Sequence, residues 1–531
     1  MSEKTGQTED RKSTLRPRDR RPSRPMAILK SVVLLALLGT TAYGMIRAGL
    51  YGPNLWLPVA LGAFVLLLVT LFLPGYYGDM PRAGWIMVAL LAILVAVKGL
   101  SMIWTISETL TAQELLRSAM YLATFILAMS ALFVARQVAS VLDVSILITA
   151  AVGGYGLLQK ISPIKYPVTS LDGVRVDSTI QYPNTTAIIV AMGVLLALAR
   201  ITQMRNPVAR GVYSTLSLAL LTALYLTVSR GGLVSLVIGI VVLLILGKSR
   251  LRMSANLLLL ILPGAWLLWK IENIKGLLEI GVPDQQRLAA GSALFTDLLI
   301  AMAAAFVLQA LYAFVSNRYH LAPGIRRAAG AIALAAVFLV FCGVVAVTVI
   351  HYGGVQQTYK ALVSNPDYTQ NTSRRLASVS IGDRTAYWKV AWKAWKKQPF
   401  TGTGAGTFQY TWNKDRTNFL GVKQVHNLYL EQGTETGVFA FLAIVAFASL
   451  LIGYTARAAW RAVPGDRRIF LAGLVAALVT YLLSSAVEWH WYIPASTLLF
   501  FILAGVTTKL AFKKSWDHPD GEPDTLDQEH Q

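Results

Sequence analysis

Arg175, Arg230, Arg384 and His426 are the side chains whose types and settings could do chemistry together. Arg230 sits in Ser229-Arg230-Gly231-Gly232, where one apolar run ends and the next begins. A guanidinium beside hydrocarbon is costly unless it is paired, so Arg230 is either a snorkelling anchor or a group with a partner. The two glycines after it suggest close approach to the backbone. Arg175 lies in Val174-Arg175-Val176-Asp177, as a solvated loop charge or a binding group, and nearby Asn184 could cap the helix that follows. Arginine suits phosphate oxygens because its planar fork donates two parallel hydrogen bonds and stays charged. His426, in Val425-His426-Asn427-Leu428-Tyr429, is either a structural residue or a base able to take a hydroxyl proton near neutrality. His490, after Glu488, is the reserve choice for that base. Several cations around one site imply a polyanion. A diphosphate leaving group fits, because fixed cations stabilise its growing charge most in the transition state.

Two further pieces lie between Arg384 and His426. Arg384 to Gln398 reads RTAYWKVAWKAWKKQ. At helical spacing Trp388, Trp392 and Trp395 form one stripe, with lysines from its flank to the far side. That pattern predicts an interfacial helix along the outer leaflet, with an amphipathic helix on the roof of a bundle as the plainer alternative. Gly402, Gly404 and Gly406 then alternate in a segment that either redirects the chain or presents backbone N–H groups to an anion. Their spacing does not match a dinucleotide-binding fingerprint.

The elements that must position these residues are membrane spans. The 531-residue chain is 55% hydrophobic and 14% charged, with a mean hydropathy of +0.54, outside the usual range for a soluble domain. Its apolar residues fall in runs of roughly 20, enough for a helix to cross the hydrocarbon core. Fourteen spans are predicted, near 27–46, 53–73, 82–103, 115–134, 139–159, 183–201, 209–228, 231–247, 255–269, 293–316, 328–350, 434–455, 468–487 and 491–511. The expected organisation is a basic disordered tail at 1–26, a helical bundle at 27–350, an extracytoplasmic loop at 351–433, the last helices at 434–511 and a second tail at 512–531. Arginine and lysine recur in alternate connections, so the positive-inside rule puts both termini in the cytoplasm. The net charge of +21 is scattered over those connections, which argues against a nucleic-acid-binding domain. Cys342, in an apolar run, is expected to be simple packing. The segments 160–182, 229–232, 351–433 and 486–492 then share the extracytoplasmic face.

In this order, R…YPN, SRGG, GDRTAYWKVAWKAWKKQPFTGTGAGTF and HNLYLEQGTETG resemble the O-antigen ligase and Wzy-type polymerase superfamily of bacterial envelope biogenesis, over residues 170–455. The resemblance implies an all-α polytopic enzyme of the bacterial cytoplasmic membrane, with its site on the extracytoplasmic face. It implies that arginines hold an undecaprenyl-diphosphate glycan while a histidine activates an acceptor hydroxyl, with no metal or cofactor. By position, Arg230, Arg384 and His426 take the catalytic places. Arg175, Asn184, Asn427, Gly402 and Gly404 are assigned to substrate binding. About twelve spans are usual for the ligases this chain resembles, so 250–330 is a possible insertion. Two functional alternatives to ligation remain at this point: polymerisation of lipid-linked repeats, and export of the lipid-linked glycan without bond cleavage. Expected partners are that glycan, a hydroxyl-bearing acceptor and membrane lipid, with no nucleic acid.

Overall fold

The computed structural model describes residues 22–170, 173–319, 322–351, 353–363, 382–416 and 419–513. Most of the two expected tails therefore lies outside the described residues, as does part of the loop 351–433. In chain order the helices are α1 (Arg24–Ile46), α2 (Pro53–Leu71), α3 (Arg82–Leu100), α4 (Glu108–Ala131), α5 (Ala135–Ile161), α6 (Pro183–Gln203) and α7 (Pro207–Leu226). There follow α8 (Arg230–Leu246), α9 (Arg250–Asn273), α10 (Asp284–Arg318), α11 (Pro323–His351), the short α12 (Val355–Val363), α13 (Arg384–Lys397) and α14 (Phe408–Asp415). The last three are α15 (Leu428–Arg461), α16 (Asp466–Ser484) and α17 (Pro494–Phe512). No β-strand occurs among the described residues.

Twelve helices among the described residues are long and apolar enough to cross a membrane. The two other expected spans are α8, apolar but 17 residues long, and the 29-residue α11. The protein is an all-α polytopic membrane bundle. Local chemistry sets many of the starts: a proline occupies the first turn of α1, α2, α6, α7 and α17, where its missing N–H costs nothing. α4 begins at Glu108, ahead of its expected span, and buries the Glu114–Arg117 ion pair in its first turns.

α6 is buried throughout its apolar stretch, and α16 and α17 nearly so, whereas α2, α3, α9 and α10 expose large apolar side chains such as Leu61, Leu262 and Leu311. An apolar exterior is what a lipid solvent requires. The central helices approach closely through small residues: a Cβ on Gly505 would stand 2.8 Å from the Met129 backbone, and one on Gly473 would stand 2.5 Å from Ala199. Cys342, expected as packing, is exposed on α11.

Contacts between connections sort them into two ends of the bundle. At one end, Thr179 donates to the Met45 carbonyl, Trp104 to the Thr401 carbonyl, Arg175 to the Thr227 carbonyl and the Leu428 N–H to the Ser485 carbonyl. At the other, Lys509 reaches Asp79, Gln203 reaches Asp466 and Arg468 reaches the Leu246 carbonyl. The four segments grouped by the sequence therefore meet at the first end.

α13 packs on α14 and α15, and the side chains it buries differ from the expected tryptophan stripe. Tyr387, Val390, Ala391 and Ala394 face inward, Trp388 and Trp395 flank that face, and Trp392 is exposed. The two alanines let the helix sit close to its neighbours, which three indoles would prevent.

Candidate functional site

Glu488, in the short connection between α16 and α17, is the centre around which the expected residues gather. Its Oε1 accepts from Asn184 Nδ2 at 2.6 Å and from Arg384 Nη2. Its Oε2 accepts from the Tyr182 hydroxyl at 2.8 Å and lies 3.6 Å from His426 Nδ1, an electrostatic contact longer than a hydrogen bond. Arg384, in the first turn of α13, also donates through Nε to the Val487 carbonyl at 2.6 Å. Arg175 Nη2 donates to Asn184 Oδ1 at 2.7 Å, and Arg175 Nε to the Thr227 carbonyl at 2.8 Å.

Arg230 opens α8 beside this cluster. Ser229 caps the helix by accepting from the Gly232 N–H, and a Cβ on Gly232 would come 2.6 Å from Ala187 of α6. One on Gly231 would meet Val487 at 3.8 Å. Gly232 thus lets α8 start against α6, and Gly231 stands in ordinary contact with the residue whose carbonyl holds Arg384.

His426 has a left-handed backbone, φ 56°, which costs a non-glycine residue on the order of 1 kcal/mol. Its neighbours hold it there. Asn427 caps α15 by accepting from the Leu430 N–H at 3.0 Å, and Glu431 accepts from the Val425 N–H at 3.2 Å. The imidazole stands between the rings of Tyr387 and Trp489, at centroid distances of 5.5 and 6.1 Å, with its side chain 18% exposed.

Electrostatics separate the roles available to these groups. Burial pushes the His426 imidazole below its usual range; Glu488 opposes this and Arg384 adds to it, leaving a base that is neutral at neutral pH. Burial also acts to raise the Glu488 carboxyl, but Arg384 and then the two histidines more than offset it, so it stays ionised well below the usual carboxylate range. His490 is fully buried, with Nδ1 bonded to Thr185 at 2.8 Å and Nε2 to Ser484 at 2.7 Å. Burial lowers it to about 4. Both ring nitrogens of the reserve choice are therefore committed to the fold.

Other expected residues are engaged by the protein itself. Asn184 does not cap α6; Tyr182 holds that position and the amide links Arg175 to Glu488. The Asn427 side chain is a helix cap. Gly402, Gly404 and Gly406 all have left-handed φ, at 64°, 104° and 76°. Their neighbours leave no room for a Cβ: Glu435 and Thr436 backbone at Gly402, Thr105 at Gly404 and Glu114 at Gly406. The Gly402 N–H goes to the Gln398 carbonyl and the Gly404 N–H to the Glu435 carbonyl. The Glu435 carboxylate accepts from the Gly406 and Phe408 N–H groups at 2.7 and 3.0 Å. The acceptor at this turn is one of the protein's own side chains.

Sequence reasoning missed Glu488 as the hub, noting it only as a neighbour of His490, and missed Tyr182, Tyr387 and Trp489. The available signal was an acidic residue at a span end, in a strongly basic chain, within Glu488-Trp489-His490-Trp491-Tyr492.

Fold and site together define a multi-pass helical membrane protein with an arginine-rich polar cluster at one end of its bundle. Residues 287–445 match the family described as O-Antigen ligase, which bears out the resemblance to the O-antigen ligase and Wzy-type superfamily and supports ligase- or polymerase-type function in general. No curated protein matches the chain. The matched stretch contains Arg384, the glycine turn, His426 and Asn427, whereas Arg175, Asn184, Arg230 and Glu488 lie outside it. It begins within the region expected to be an insertion, so residues 287–330 are part of the family pattern.

Proposed function

We propose that the protein transfers a glycan from an undecaprenyl-diphosphate carrier to an acceptor hydroxyl at the extracytoplasmic face of the bacterial cytoplasmic membrane. Arg175, Arg230 and Arg384 stabilise the diphosphate, and His426 accepts the proton of the incoming hydroxyl. The acceptor oxygen bonds to the anomeric carbon as the bond from that carbon to the diphosphate oxygen breaks. The electron pair leaves on the diphosphate, whose charge the guanidiniums offset. Attack opposite the leaving group inverts the anomeric centre in one displacement.

The observation that carries this reading is the convergence of three guanidinium-bearing segments and one neutral imidazole on Glu488. One carboxylate orders the site without cancelling its positive charge. Glu488 is ionised beside both Arg384 and His426, which makes it a positioning residue. The connections at the opposite end of the bundle carry Arg205, Arg252, Arg457, Arg461, Arg467 and Arg468, and the positive-inside rule supports placing that end in the cytoplasm.

The test supplies the purified protein with a synthetic polyprenyl-diphosphate glycan and an acceptor, and follows diphosphate release with transfer. His426→Ala is expected to lower transfer by about 10²–10⁴-fold while donor binding persists. Movement of the intact lipid-linked glycan between leaflets with no diphosphate released would make the protein an exporter and defeat the proposal.

A further inference from the structure

At the end of the bundle opposite Glu488, one group of arginines has no anion to answer it. Arg210, in the first turn of α7, is fully buried, and its acceptors are neutral: the Asn256 amide oxygen of α9 and, at 3.4 Å, the Ser316 hydroxyl of α10. That amide oxygen is shared with Gln309, which donates to it at 2.8 Å. Arg210 Nε has no hydrogen-bond partner among the described residues, and the Tyr312 ring lies 4.9 Å from the guanidinium. Arg252, in the first turn of α9, repels Arg210, and Arg205, in the α6–α7 connection, repels Arg252. Asp466 acts on Arg252 less than Arg205 does, and its carboxylate is taken by Gln203 at 2.7 Å. None of the three arginines forms an ion pair with a described residue.

Two of these side chains are held by the fold and still open to a ligand. Arg252 gives Nη2 to the Met204 carbonyl at 2.8 Å and encloses its Nε, while its Nη1 has no acceptor among the described residues. Arg205 is exposed, and its backbone carbonyl is fixed by Asn317 of α10 at 2.7 Å. Guanidiniums held in this way suit the oxygens of a phosphate. α7 and α9 both start here with no acidic residue in the first turn, so two positive helix ends add to the unanswered charge. A buried cation without an anion is costly, which makes an outside anion the missing part. The neighbouring surface is apolar: Val208 and Val212 of α7 and Leu311 and Val315 of α10 are exposed. A phosphate carrying acyl chains satisfies both the charge and that surface, and a free phosphate only the charge.

We propose that Arg205, Arg210 and Arg252 form a site for an anionic phospholipid of the cytoplasmic leaflet, its phosphate at Arg205 and Arg252 and its acyl chains along α7 and α10. Arg210 adds its charge from behind. A zwitterionic headgroup brings a cation of its own and gains less, whereas the cytoplasmic leaflet supplies net-negative lipid. Bound there, the lipid ties the starts of α7 and α9 to the end of α10. The assignment uses the proposed orientation of the bundle and is independent of the glycan chemistry.

The experiment melts the full chain in nanodiscs of phosphatidylcholine alone and of phosphatidylcholine with phosphatidylglycerol, and reads the difference in Tm between the two, so that a variant's own stability cancels. Wild type should gain about 5 °C from the anionic lipid and should retain phosphatidylglycerol in native mass spectra. Arg205→Gln/Arg252→Gln should lose both the gain and the retained lipid. Arg457→Gln/Arg461→Gln, which removes two exposed arginines from the same end, should keep them. Equal loss in that second variant would reduce the effect to general surface charge and overturn the site. A gain that survives Arg205→Gln/Arg252→Gln, or no gain in wild type, would overturn it too. Inorganic phosphate that produces the same gain in phosphatidylcholine alone would show a free anion in place of the lipid. Transfer activity is not read, so none of these outcomes depends on the proposed function.

Discussion

The two ends of the bundle arrange the same side chain differently. At the end holding Glu488, Arg384 is bound to a carboxylate and Arg175 to an amide that touches the same carboxylate. At the other end, Arg468 donates to the carbonyls of Leu246, Trp460 and Ala462, and Arg467 to those of Leu510 and Ala511. Those carbonyls terminate helices, where the last turn has no internal donor and the dipole is negative, so the cations there fasten the ends of spans. Backbone strain divides the same way. Ala48, Leu50, Ser178, Gln181, Val228 and His426, the non-glycine residues with left-handed φ among those described, all lie at the Glu488 end. Strain of this kind persists only where surrounding structure over-determines it, as at sites that must hold a geometry. Arg200 pairs with Asp143 at the opposite end as well, so the Glu488 end is set apart by several segments converging on one carboxylate and by the strained backbone around it.

The comparison breaks first at Glu488. Glu488→Gln keeps the shape but removes the charge that orders Arg384 and steadies His426. Transfer should fall on the order of 10²-fold, with donor affinity weakened less, as read from kcat and donor KM. Because Glu488 favours the protonated imidazole, its loss should also move the pH profile. The acid limb, set by His426 below its usual 6.5, should shift to still lower pH in Glu488→Gln. An unshifted limb would separate His426 from Glu488.

A smaller effect is expected at Arg175. Arg175→Lys keeps a charge but cannot bridge Asn184 and the Thr227 carbonyl at once, so donor KM should rise roughly tenfold with little change in kcat. At the opposite end, Arg468→Ala should leave transfer per folded molecule unchanged. It should lower stability by about 2 kcal/mol because buried helix-end carbonyls lose a charged donor, visible as a lower Tm in detergent. A fall in kcat at constant Tm for Arg468→Ala would erase the distinction between the ends.

His490 supplies the weakest signal. It is buried neutral with a value near 4 against 6.5 when unfolded. Between those values the unfolded chain takes up a proton that the folded protein refuses. The contribution is present above pH 6.5 and lost as pH falls toward 4. Thermal melting should therefore decline over that window, and less so in His490→Gln.

Composition and periodicity determined the bundle. Runs of about twenty apolar residues have no stable form in a bilayer except a helix, and each of the fourteen expected spans coincides with one. The order of motifs likewise determined which segments share an end, because successive spans alternate in direction. Tertiary structure alone decided what each polar residue does there. Asn427 became a cap, the glycine turn closed on Glu435, His490 was walled in by two hydroxyls, and Glu488 became the hub. The reason is physical. Burial in the bundle is specified by hydrophobicity, which is a property of single residues, whereas a hydrogen-bonded or ionic role is a property of pairs. The partners of Glu488 lie as far as 306 positions away in the chain.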